Sequence, residues 1–244
     1  MAIIFEDRPS DSPFVERIWR SRCEVPGPFL SMALNRWQLV AWTVQGKTSF
    51  TVRGPETHAT IAQCPEHEEF VGVLLPPGVF MPLFRPAGMV DRAITLPEAT
   101  SHSFWLDGSA WQYPGYEQVD VFVDRLVRAG LLEREPTVDA TLQGDPVYFS
   151  PRSLQRRFLS ATGLTLGTMR QIERARFATD LLRQGVSIAD TVALSGYFDQ
   201  PHLTRSLKRF IGQTPAQLSG KSAGQQLSFL YKTSPTPMRH NEVA

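Results

Sequence analysis

The chain has 244 residues, 42% apolar and 20% charged, with a formal net charge of +1. This composition is that of a globular protein of one large or two ordinary domains, and it excludes a disordered or fibrous chain. No apolar run approaches the roughly 18 residues of a membrane helix, and the stretch up to Arg20 has acids and Pro9-Ser-Asp-Ser-Pro13 where a signal peptide needs a greasy core, so a cytoplasmic protein with no membrane contact is expected.

The small net charge conceals a division. Residues 1–149 hold 12 Lys/Arg against 19 Asp/Glu, net −7, whereas residues 150–221 hold 11 against 4, net +7. An acidic domain beside a basic one is implied, and a compact basic domain attracts phosphate by releasing counterions.

In chain order, the texture from Phe29 to Phe84 is that of short strands. Leu39 to Val44 and Thr48 to Val52 alternate around Gln45-Gly46, a hairpin turn, and a further strand runs from Phe70 to Leu75 before Pro76-Pro77-Gly78. Dense Pro/Gly punctuation among aromatic and β-branched runs predicts a barrel or sandwich. Trp37, Trp42, Trp105 and Trp111 are candidates to line an effector pocket, against the plainer reading that strand aromatics are core. His58, Cys64, Glu66, His67 and His102 lack the His-x-His-then-Glu spacing of a facial metal site, and Pro65 to Glu69 reads as a charged loop, so no metal and no cofactor are assigned. Cys23 and Cys64 form no C-x-x-C pair and are expected to be reduced, buried thiols.

From Tyr116 the period becomes helical. Val119, Phe122, Val123, Leu126 and Val127 share a face and Gly130 ends the helix, whose stripe packs on its own domain or on a second subunit. Glu133 to Pro136 reads as a polar hinge. Beyond it the chain is helical almost to Leu218, and residues 221–244 read as a mobile tail.

Within the basic segment a single unit occurs twice: Leu154, Arg156, Gly163 and Thr165 recur 49 residues on as Leu203, Arg205, Gly212 and Thr214. In the first copy Val138 to Gln143 is a bracing helix, and a second helix starts at Ser150 (N-cap) and Pro151 and runs through Phe158. Leu154 and Phe158 face inward, leaving Arg152, Ser153, Gln155 and Arg156 outward. In the second copy Ser187 caps a helix through Ser195 with Ile188, Val192 and Ala193 inward, and Asp199 caps the next, with Leu203, Leu207 and Phe210 inward. Gln200, His202, Thr204 and Arg205 are left for a groove, and Lys208 and Arg209 for phosphates. Between the copies Thr168 to Gln184 is a long helix with Met169, Ile172, Phe177, Leu181 and Leu182 as its apolar positions. This is helix-turn-helix logic applied twice, and the partner it suits is duplex DNA.

Ser150-Pro-Arg-Ser-Leu-Gln-Arg-Arg-Phe158, Gln171-Ile-Glu-Arg-Ala-Arg176 and above all Gly196-Tyr-Phe-Asp-Gln-Pro-His-Leu-Thr-Arg-Ser-Leu-Lys-Arg-Phe-Ile-Gly-Gln-Thr-Pro215 resemble the AraC/XylS family of bacterial transcription regulators. The resemblance covers about residues 136 to 219 and implies two helix-turn-helix units joined by a linker helix on adjacent major-groove segments. By position it makes Arg152, Gln155, Arg156, Gln200, His202 and Arg205 base or phosphate contacts, while Pro201 replaces a residue often polar in the family. It also implies a dimerising helix at Tyr116 to Gly130, and with it a homodimer.

The expectation is an α+β chain. Residues 1–135 form a β-rich, barrel- or sandwich-like regulatory domain that senses a small-molecule effector or dimerises, residues 136–220 an all-α domain of two helix-turn-helix units, and residues 221–244 the tail. The expected function is transcription regulation on promoter DNA, with RNA polymerase as partner and without catalysis. The rivals are a ligand-independent regulator and a metal-dependent barrel enzyme fused to a DNA-binding module.

Overall fold

The computed structural model describes residues 2–227. Its amino-terminal strands are β1 (Ala2–Arg8), β2 (Arg17–Val25), β3 (Gly27–Ser31), β4 (Gln38–Val44), β5 (Lys47–Arg53), β6 (Thr60–Cys64), β7 (Glu69–Leu74) and β8 (Val79–Phe80). A short helix α1 (Pro86–Met89) leads to β9 (Ala93–Thr95), β10 (Glu98–Thr100), β11 (Ser103–Leu106) and β12 (Ser109–Gln112), then to α2 (Val119–Arg128) and β13 (Glu133–Arg134). The helical region comprises α3 (Pro136–Gln143), α4 (Pro151–Thr162), α5 (Leu166–Arg183), α6 (Ile188–Leu194), α7 (Gln200–Phe210) and α8 (Pro215–Leu218). The chain is thus mixed α+β, a sheet-rich amino-terminal region followed by a helical one.

The hairpin at Gln45-Gly46 forms as the sequence predicts. Both residues have positive φ, 51° and 78°, the conformation whose twist matches two antiparallel strands, and β4 pairs β5 from Gln38↔Arg53 to Val44↔Lys47. The main sheet has the order β1-β2-β7-β4-β5-β9, antiparallel throughout. No pairing joins β1 to β9 among the described residues, so the barrel expectation gives way to an open sheet with three smaller ones, β10-β11-β12, β13-β8 and β3-β6.

Aromatic packing closes the sheet core. Phe50 stacks on Phe104 at 4.3 Å between ring centroids, and Phe122 meets Phe50 and Trp111 edge-on at 5.5 and 6.1 Å. Phe122 comes from α2, whose Val119, Phe122, Val123 and Leu126 all belong to this core. The helix therefore buries its apolar face against its own sheet.

The helical region has a second core, and the sheet region contributes Leu30, Met32 and Ala33 to it. Several contacts join the regions. Glu133 and Arg134 pair with Phe80 and Val79, so the expected hinge is a strand, a pairing that its partner 54 residues earlier dictates and local sequence does not. Backbone N–H groups of Ala33 and Ala59 donate to the Phe210 and Arg209 carbonyls at the end of α7, at 2.7 and 2.8 Å. Between them lies a buried ion pair: Arg36, 5% exposed, donates from Nε to Glu16 and from Nη1 to Glu173 of α5, each at 2.8 Å, and Nη1 also meets Asn35 Oδ1. Burial opposes both charges. Glu16 and Glu173 nevertheless raise the Arg36 pKa, and the Arg36 and Arg176 guanidiniums hold the Glu173 carboxyl below the usual carboxylate range.

Three further expectations change. Phe177 of α5 is 37% exposed and Ala193 of α6 is exposed, while Thr179 and Thr191 are buried instead, their helices being rotated by tertiary packing. The expected tail begins docked: Leu30 donates its N–H to Gln226 O at 2.9 Å and bridges Leu227 in parallel register. Residues 228–244 lie outside the described residues.

Cys23 and Cys64 are free and buried side by side, with Cys23 Sγ 3.4 Å from Cys64 O. Burial, with Cys23 and Glu68 beside it, pushes the Cys64 thiol up to about 12. Glu68, 6% exposed, is pushed by burial from 4.5 up to about 7.

Two stability measurements follow from these groups. Arg36→Ala leaves the buried Glu173 carboxylate without its ion-pair partner across the two regions, with Arg176 as the guanidinium that still faces it, and denaturant titration should show a loss of about 3 kcal/mol; Arg36→Lys, which cannot fork to two carboxylates, should recover only part of it. Glu68 has a raised folded pKa, so the folded state binds the extra proton. Its contribution is fully present below pH 4.5 and is lost as pH rises to about 7. Glu68→Gln should therefore flatten the decline in melting temperature between pH 5 and pH 8, and an unchanged decline would remove Glu68 as its source.

Candidate nucleic-acid interface

The two copies of the repeated unit fold alike because each repeated residue performs the same local task. Ser150 caps α4 by accepting from Ser153 N at 3.3 Å, and Asp199 caps α7 by accepting from His202 N at 2.6 Å. At the far ends, Gly163 and Gly212 take φ values of 72° and 84°, which explains why α4 runs to Thr162 and not merely to Phe158. Two residues later Thr165 and Thr214 cap α5 and α8, the latter through a capping box with Gln217.

Inward, Phe158, Ala161, Leu203, Leu207 and Phe210 are buried and Leu154 is half-buried. Outward, the structure leaves Arg152, Gln155 and Arg156 exposed on α4, and Gln200, Arg205, Lys208 and Arg209 exposed on α7. Ser153, His202 and Thr204 are half-buried; Ser153 Oγ lies 3.0 Å from Ser150 Oγ, and the His202 ring stands edge-on to Tyr197 at 5.1 Å. Asp199 is engaged as the cap of α7, and Asp190 accepts from Ser187 at 2.6 Å.

Two arginines that sequence reasoning did not single out hold the turns before these helices. Arg157 donates to Glu135 at 2.8 Å and lies 4.3 Å over the Phe149 ring. Burial opposes ionisation of Glu135, yet hydrogen bonds from Thr137 and the Arg157 charge keep its pKa lowered. Arg174 of α5 lies 4.4 Å over Tyr197 and donates to Gly196 O at 3.3 Å. The signal was present: Tyr148-Phe149 and Tyr197-Phe198 share the 49-residue spacing of the repeat. The copies differ in their connectors, since residues 144–150 separate α3 from α4 whereas 195–199 separate α6 from α7.

The four candidate tryptophans are dispersed through the sheet region. Trp37 and Trp111 are buried in its core, Trp42 donates to Thr51 Oγ1 at 3.0 Å, and Trp105 is 48% exposed. An open cavity of about 790 Å³ lies between residues 8–14 and α2, and none of the four lines it. Among the described residues no group of three or more His, Cys, Asp or Glu is placed to hold a metal ion, and no helix is long and apolar enough to cross a membrane.

A helix-turn-helix domain family matches residues 146–221. The chain is 36% identical over 70 residues to the HTH-type transcriptional regulator RipA of Corynebacterium diphtheriae, covering 29% of this chain and 21% of RipA. It is 39% identical over 74 residues to the HTH-type transcriptional regulator VirS of Mycobacterium tuberculosis, covering 30% and 22%. Against the bifunctional transcriptional activator/DNA repair enzyme Ada of Escherichia coli it is 30% identical over 110 residues, 45% of this chain and 30% of Ada. The chain thus spans less than a third of these relatives' lengths, and no solved structure matches it. Residues 146–221 are thus a helix-turn-helix domain of the kind these DNA-binding transcriptional regulators carry.

Proposed function

We propose that the chain is a one-component transcription regulator in which residues 1–135 form a regulatory domain and residues 136–220 a DNA-binding domain. The helices α3 and α4 make one helix-turn-helix unit and α6 and α7 the other, with α5 as the linker that fixes their separation. On promoter DNA α4 and α7 enter successive major-groove segments about 34 Å apart. The observation that carries this reading is the pair Arg156 and Arg205, repeat-equivalent and both exposed on helices that are capped alike.

Chemistry divides the roles. Arg156 and Arg205 bridge guanine O6 and N7, and Gln155 and Gln200 suit adenine N6 and N7. Arg152, Ser153, His202 and Thr204 flank them, and Lys208 and Arg209 hold phosphates. Recruitment or obstruction of RNA polymerase then follows from where the operator lies.

Control by a small-molecule effector is supported by how the sheet region grips the reading units. It touches both at the repeat-equivalent glycines: a Cβ on Gly163 would come within 2.5 Å of Pro86 O, and one on Gly212 within 3.0 Å of Leu30. An effector that prefers one arrangement of these seats shifts the population of reading-competent molecules. Trp37 and Trp111 are suited to sense it, because their buried indole N–H groups meet no acceptor among the described residues and would donate to a ligand oxygen. A homodimer in this reading uses the outward side of α2, where Asp124, Arg125 and Arg128 are exposed. No catalysis is assigned, and the repair activity in Ada's name is Ada's.

Selection of duplexes from a random pool should enrich two blocks about one helical turn apart. On that site Arg205→Ala should weaken binding by about 1–3 kcal/mol and relax base preference, whereas Lys208→Ala should weaken all duplexes alike and lower the salt slope by about one. Equal losses on specific and random duplex for Arg205→Ala would sink its base-reading role.

A further inference from the structure

Each reading helix is preceded by a pair of aromatics, Tyr148-Phe149 before the cap Ser150 and Tyr197-Phe198 before the cap Asp199. In the second turn one ring is anchored and the other is exposed, and in the first both rings are exposed to different degrees. Tyr197 is 5% exposed, hydrogen-bonded to Ser206 Oγ at 2.8 Å and covered by Arg174, whereas Phe198 is 90% exposed. In the first turn Phe149 lies under Arg157 but is still 43% exposed, and Tyr148 is 95% exposed. The anchored Tyr197 fixes the second turn with Phe198 turned outward.

A free phenyl ring needs an apolar partner, and its position decides which. Phe198 precedes the first turn of α7, the end of a reading helix that approaches base edges, and Gln200, His202 and Arg205 follow it on that helix. The surrounding segment, residues 150–221, carries a net charge of +7, so the surface facing Phe198 in a complex is that of a polyanion. In the major groove the apolar group offered by a base is the thymine methyl.

We propose that Phe198 packs on a thymine methyl at the edge of the second unit's site, and that Tyr148 does the same for the first. This rests on the two-unit DNA reading above and adds a specificity-determining contact that has no hydrogen bond in it. It predicts a thymine beside each block of the operator.

The test uses the full chain and its selected duplex, with each thymine replaced singly by deoxyuridine, which lacks only the methyl. Wild-type affinity should fall about fourfold at one position beside the second block. Phe198→Ala should lose the same factor on the thymine duplex and nothing further on the uracil duplex, while Phe198→Leu, still apolar, should retain some of the discrimination. The proposal is overturned if Phe198→Ala keeps the full uracil effect, if it weakens selected and random duplexes equally, or if DNA binding is unchanged while transcription falls, which would assign the ring to a protein partner. Loss of base preference in Arg205→Ala with none in Phe198→Ala would spare the two-unit reading and remove this contact alone; failure of the wild type to enrich any duplex would remove both.

Discussion

The arrangement of the two regions turns on a charge that should not be where it is. Glu173 sits on the buried side of α5, the helix between the repeated units, and a carboxylate there is tolerable because Arg176 of its own helix and Arg36, reaching across from the sheet region, both face it. Such a pair adds little net stability compared with apolar packing, but it is demanding about geometry: one guanidinium must meet Glu16 and Glu173 at once. That requirement sets α5 in one position on the sheet region. The same face seats Gly163, where a Cβ would strike the Pro86 backbone, and Gly212, where one would press on the Leu30 and Ala59 side chains.

Repetition explains how few residue types shape the helical region. A glycine that ends one helix and a threonine that caps the next recur at one spacing, so both turns of the chain are made by the same two residues. Hydrogen-bonding groups at helix ends are thereby satisfied locally, leaving Arg156 and Arg205 with no capping task to perform. Asymmetry enters through the connectors and through the aromatic pairs, of which only the second buries a ring, Tyr197.

What was legible in the sequence was local. Ser150, Ser187 and Asp199 could be read as caps, and Gln45-Gly46 as a turn, because their chemistry acts within three or four residues. Glu133-Arg134 looked like a hinge because its strand partner lies at Val79-Phe80, and no pattern within a window reports that pairing. Phe177 and Ala193 were assigned inward from periodicity alone; neighbouring elements chose Thr179 and Thr191 instead. For the interface, the outward residues of α4 and α7 were legible from the repeat. Arg157 and Arg174 were legible only indirectly, through the repeated aromatic pairs that they cover.

The helical region is tied to the sheet region at both of its ends, by Glu133-Arg134 on entry and by Leu227 on Leu30 at exit. A domain with one tether swings when its interface loosens, like a bead on a string. With two, releasing the interface opens a closed loop, and the separated surfaces stay at high effective concentration and meet again quickly. Motion of α4 and α7 against the sheet region is then a graded, reversible breathing of one body, and any cleavage between α8 and Leu227 converts it into a hinge.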